Sequence, residues 1–172
     1  MVARPLTTDQ MAVDPIAEAR RQWDQRWSGG ATMAAATSIM RAQQIVQASV
    51  DEALRPFGLT FARYEALVLL AFSKRGALPM GKMGERLMIH PTSVTNIVDR
   101  LEGQGFVRRL PHERDRRTTL VEITAAGREV VDRATGEVVA SEFGLDALSE
   151  SQLNQLTSLV HTVRVGTGEV AG

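Results

Sequence analysis

The 172-residue chain has no cysteine. That excludes disulfides, thiolate metal sites and thiol redox sensing. It also has no net charge, since 20 lysines and arginines balance 20 aspartates and glutamates. A polyanion partner therefore cannot be argued from the total, and must be sought in where the charge lies. No apolar run approaches the ~20 residues that span a bilayer. The N-terminus lacks the uninterrupted apolar core of a secretion signal. A cytoplasmic location and no membrane partner are the expectations. His90, His112 and His161 are scattered, with no second ligand at metal spacing, so no metal or cofactor is expected. No serine–histidine–acid pattern, glycine-rich phosphate loop or paired-carboxylate signature stands out, and catalysis is not expected. There is no internal repeat. The length suits one domain, or a domain with arms.

What is present is concentrated in MIHPTSVTNIVDRLEGQGFVRRLPHERDRRTTLVEI, residues 88–123. The spacing of Val94, Ile97, Val98 and Leu101 predicts a helix with one buried stripe, starting near His90. Pro91 fits its first turn, where a missing N–H costs nothing. Gly103 and Gly105 stop it. Thr92, Ser93, Thr95, Asn96 and Arg100 fall to the other faces. Such side chains suit base edges and phosphates in a major groove. The N–H groups of the helix start would also favour a phosphate. Alone, the segment also fits an ordinary amphipathic helix with a polar outer face.

Two strands follow, from Phe106 to Leu110 and from Thr118 to Ile123, the second with the alternation of a half-buried sheet. Between them lies PHERDRR, from Pro111 to Arg117. Arg114, Arg116 and Arg117 sit at this tip and Arg108 and Arg109 at its base, with Glu113 and Asp115 the acids inside it. Like charges gathered on a hairpin repel. Against a polyanion they become favourable, because each neutralised phosphate releases counterions. A narrow minor groove attracts an inserted arginine well. A solvated charged turn is the other reading. PMGKMGERL, residues 79–87, reads as a short helix, and Met88 to His90 as a tight turn into the next. Helix, turn, polar helix and basic hairpin together make a winged helix-turn-helix.

At these residues the chain resembles the MarR family of transcription regulators. The resemblance covers roughly Ala34 to Val165 and is most specific over SVTNIVDRLEGQGFVRR and ERDRRTTLVEITAAGRE. It implies a mainly α fold with a small β wing, the winged domain (about 60–124) flanked by long dimerisation helices (about 34–57 and 124–165). Residues 1–30 would be an N-terminal arm with a short helix, and 31–172 the MarR-type domain. The implied DNA contacts are Pro91, Thr92, Ser93, Thr95, Asn96, Arg100, Asp115, Arg116 and Arg117. Arg117 would enter the minor groove with Asp115 holding it, and Arg100 would brace the wing or touch the backbone. The histidine and proline at the helix start are less usual for the family. Some relatives sense peroxide through a cysteine; this chain has none.

The rest of the chain reads as helices. Asp14 and Pro15 start PIAEARRQWDQRW, which Gly29 and Gly30 end. Its Trp23 and Trp27 carry large apolar rings with a donor N–H. They either anchor the arm on the body or a partner subunit, or wall a ligand pocket. A long helix is expected from Ala34 to Phe57, and another from Phe61 to about Lys74, capped by Thr60 and apolar nearly all round. Glu65 on it either reaches an edge or pairs with an arginine, or makes a polar contact in a pocket. Thr124 should cap a helix to about Phe143, and Ser149 should start the last one. The apolar faces of these terminal helices call for a homodimer. Two heads would then meet half-sites about 10 bp apart in an inverted repeat.

The resemblance also implies a small-molecule effector bound between the dimer arms and the reading domain. Trp23, Trp27, Met40, Arg63, Glu65 and Phe72 are the candidate pocket residues. The arm is similar to that of a urate-responsive subgroup, in which a tryptophan acts with an acid and an arginine. Glu65 stands at the acid, but Ile97 stands at the arginine, and Ile97 suits an apolar or acyl-type ligand better. The competing function is a dimeric small-molecule-binding or protein-docking module that no longer reads DNA.

Overall fold

The computed structural model describes residues 14–111 and 118–170. Helix α1, Pro15–Asp24, starts as its sequence requires, with Asp14 Oδ1 accepting from the Ile16 N–H at 3.0 Å and Pro15 in the first turn. Helix α2, Gly30–Leu54, begins at Gly30, four residues ahead of the expected start, so this glycine opens a helix rather than ending one. Its C-terminal end tightens into a single 3₁₀ turn, Arg55–Phe57, closed by Gly58 in left-handed backbone. The chain divides into two units, one up to Val46 and one from Gln47.

Helix α3, Phe61–Phe72, follows. Thr60 precedes it, but its hydroxyl caps no backbone N–H and instead accepts from Arg63 Nε at 3.2 Å. Tyr64, Ala66, Leu67 and Leu70 are buried, whereas Phe72 is 84% exposed, so the helix is one-sided rather than apolar all round. Strand β1, Ala77–Pro79, runs straight into helix α4, Met80–Leu87. Helix α5, Pro91–Gly103, comes next, then strands β2, Val107–Pro111, and β3, Thr119–Ile123. The sheet order is β1-β3-β2, antiparallel throughout. Pro79 ends an edge strand, where a missing N–H is tolerated.

Helix α6, Ala125–Ala140, is capped by Thr124, whose hydroxyl accepts from the Gly127 N–H at 3.0 Å. It stops three residues short of the expected Phe143, because Glu142 and Phe143 both adopt left-handed φ, 47° and 56°, in the turn Glu142–Gly144. Helix α7, Glu150–Gly166, opens with a capping box between Ser149 and Gln152. The core of the second unit joins Leu67 and Leu70 of α3, Met83 of α4, Val94, Val98 and Leu101 of α5, Val107 and Val121 of the sheet, and Ala134 and Val138 of α6, all at 2% exposure or less. Burial of this kind contributes about 1.5–3 kcal/mol for each large side chain. Tyr64 is buried with its hydroxyl 3.0 Å from that of Thr135, so α3 and α6 share a polar contact.

Gly136, in contrast, lies exposed within α6 with no atom within 4 Å of a built Cβ. Gly136→Ala should raise stability by about 0.5–1 kcal/mol, since alanine loses less backbone freedom on folding. A urea titration checks this through a higher midpoint with an unchanged slope.

Candidate nucleic-acid interface

Helices α4 and α5 are joined by Met88, Ile89 and His90. Met88 closes α4 in left-handed backbone at φ 54°, and its N–H reaches the Gly84 carbonyl. The Ile89 N–H bonds the same carbonyl at 3.1 Å. This reversal lets Met83 of α4 and Val94 and Val98 of α5 meet in one core. The opposite face of α5 is left outside. Pro91, Thr92, Ser93, Thr95, Asn96 and Arg100 are all exposed on it. Among the described residues, the side chains of Thr92, Ser93, Asn96 and Arg100 have no hydrogen-bond or ion-pair partner. Asp115, Arg116 and Arg117 lie outside the described residues.

The base of the hairpin differs from the expectation. Arg108 stands directly opposite Glu122 across the β2–β3 ladder and pairs with it. Arg109 reaches back to α5, where its guanidinium bonds both Asp99 and Glu102. Its backbone N–H donates to Glu102 Oε1 at 2.9 Å. Burial works against the Arg109 charge, but the bonds to Asp99 and Glu102 outweigh it and its pKa is raised. Neither arginine is a free cation for a phosphate; both are neutralised by acids of the same chain. Between α5 and β2 the brace is Arg109. The available signal was the i, i+3 spacing of Asp99 and Glu102, which puts two carboxylates on one helix face.

The candidate effector residues divide between the units. In the first, the rings of Trp23 and Trp27 meet at a tilt of 60° with centroids 5.0 Å apart, and line a shallow groove with Glu18, Arg21, Gln22 and Arg26. The Trp23 indole N–H donates to the Ser28 carbonyl at 2.9 Å. Trp27 is 59% exposed, and Met40 is exposed on α2. In the second, Arg63 is half-buried, near Gln104 Oε1 at 3.4 Å, while Phe72 is exposed. Glu65 is exposed overall, yet partial loss of water around its carboxyl raises its pKa.

Residues 59–119, the stretch holding α4, α5 and β2, match the MarR family model. A MarR family transcriptional regulator of Streptomyces coelicolor, solved by crystallography, is 52% identical, with a TM-score of 0.76 over 84% of this chain and all of that one. The chain belongs to the MarR family. A second MarR family regulator of S. coelicolor, solved in complex with DNA, is 28% identical, with a TM-score of 0.75 over 82% of this chain and 90% of that one. The organic hydroperoxide resistance transcriptional regulator of Bacillus subtilis is 31% identical over 110 residues, 64% of this chain and 73% of that protein. This MarR protein is a transcriptional regulator and not an enzyme. Its mainly helical fold with a small three-stranded wing sheet is the winged helix-turn-helix that its sequence resembles. No helix of the described residues is long and apolar enough to cross a membrane.

Proposed function

We propose that this MarR protein is a repressor that holds an inverted-repeat operator as a homodimer and releases it when a small molecule binds. One observation carries the reading. The exposed face of α5 offers Thr92, Ser93, Thr95, Asn96 and Arg100 to the outside, and a hairpin with the tip PHERDRR follows at once. Hydroxyl, amide and guanidinium groups match base edges and phosphates of a major groove. Arg117 enters the minor groove with Asp115 orienting it, Arg116 adds a further DNA contact, and Arg100 braces the wing or contacts the backbone. Arg109 offsets part of the charge of Asp99 and Glu102 on α5, and Arg108 pairs with Glu122 of β3, which lessens the repulsion of a duplex by these acids.

The dimer is supported by α7. It has no buried residue, and Leu156, Leu159, Val160 and Val163 form an apolar stripe along it in contact with water. A two-fold mate would cover that stripe and repeat the reading head. The effector candidates are, taken separately, Trp23, Trp27 and Met40 within the first unit and Arg63, Glu65 and Phe72 within the second. A ligand acts by favouring the dimer whose heads are wrongly spaced for successive grooves.

Sequencing the DNA fragments that the purified protein selects gives the operator, and gel shifts at two salt concentrations give its affinity. Arg117→Ala should weaken binding by about 1–3 kcal/mol, roughly 5- to 150-fold. Unchanged affinity removes Arg117 from the groove. No affinity for any duplex at low salt leaves the module that does not read DNA.

A further inference from the structure

The head of α5 is built without spare donors. Pro91 has no N–H. The Thr92 N–H donates to His90 Nδ1 at 3.3 Å, and those of Ser93 and Val94 to the His90 carbonyl at 2.9 and 3.2 Å. A phosphate at this helix end, expected from the sequence, would find its N–H groups already engaged. An apolar patch lies beside it. Met88, just ahead of the helix, is 65% exposed. Thr95 turns its hydroxyl back to the Pro91 carbonyl at 3.2 Å, which leaves its methyl for an outside contact. Met88, Pro91 and Thr95 rim one open groove, with buried Val94 and half-buried Ile89 behind them; Glu85 also lines it, its carboxylate held by Lys82 Nζ at 2.6 Å.

Resting on the DNA-binding reading above, we infer that Met88, Pro91 and Thr95 form a specificity element that reads the 5-methyl group of one thymine in each half-site. Thymine is the base whose major-groove edge carries an apolar group. Other bases bring polar atoms that this rim would strip of water without replacing it. Thr92, Ser93 and Asn96, with their free hydroxyl and amide groups, read the neighbouring positions.

The test uses the full chain and the duplex recovered by selection, with each thymine changed in turn to deoxyuridine, which removes the methyl alone. One position per half-site should lose affinity about three- to fivefold, the worth of one methyl taken out of contact. Thr95→Ser and Met88→Gln should bind the thymine and uracil duplexes alike at that position. If no deoxyuridine change alters affinity, or if both variants keep the full discrimination, thymine reading by this rim is wrong while DNA binding stands. If the protein binds no duplex at low salt, both readings fall.

Discussion

A glutamate in place of Leu159 should turn the protein into a monomer and lower its operator affinity by at least roughly a hundredfold. Leu159 is 68% exposed at the middle of the α7 stripe, so its own chain gains little from it. In a two-fold interface each such residue is buried twice, once per subunit. Covering a leucine contributes about 1.5–3 kcal/mol, and a carboxylate there would have to be stripped of water with no cation supplied. Two reading heads on one body meet the second half-site at an effective concentration in the millimolar range, and a monomer forfeits that gain. Sedimentation at micromolar protein should show the mass halved, with the helical circular dichroism unchanged. A variant that stays dimeric would remove α7 from the interface.

Gly127→Ala should lower stability by about 1–3 kcal/mol or more. A Cβ at Gly127 would lie 2.1 Å from the Phe106 carbonyl oxygen and 2.8 Å from Ile123 Cγ1. The first contact is with backbone and cannot be relieved by a rotamer change. That carbonyl also accepts from the Thr124 N–H at 3.0 Å and the Thr124 hydroxyl at 3.1 Å. Moving it would break the cap of α6 and loosen the turn that leads from α5 into β2. The melting temperature should fall by roughly 2–12 °C. Wild type and variant must be compared at one protein concentration, since subunit association raises apparent stability. An unchanged melt would mean that the start of α6 can shift away from Phe106 at no cost. Paired with the opposite sign expected at Gly136, the result would separate close approach from chain entropy.

Helix α5 was legible because its apolar positions repeat at 3.6 residues, and Val94, Val98 and Leu101 are buried as that period requires. The caps at Asp14, Thr124 and Ser149 were legible for a similar reason, since their chemistry is local. Strand β1 was not. Three residues are too few to alternate, and Ala77–Pro79 becomes a strand only by lying opposite Leu120, Val121 and Glu122. The fate of Arg108 and Arg109 was hidden by the same distance in sequence. Their number suggested a cationic base, but ladder register gives Arg108 to Glu122, and the packing of β2 beside α5 gives Arg109 to Asp99 and Glu102. The missing donors at the α5 head were half visible: a proline announces one lost N–H, but not that the His90 ring would turn in to take the next. Residues 112–117, on which the wing-tip expectations fall, lie outside the described residues.

Strand β3 is hydrogen-bonded on both sides, and β1 passes into α4 without an intervening loop. Arg109 clasps β2 to α5 from the other direction. The paired segments 107–111 and 119–123 therefore cannot tilt on their own without tearing a ladder that also anchors α4 and pulling on α5. Any signal that reaches this half of the protein must carry it as a solid piece. For the dimeric repressor proposed above, release would then be a matter of trigonometry between two rigid hands, and an inducer need leave no trace on either hand's internal geometry.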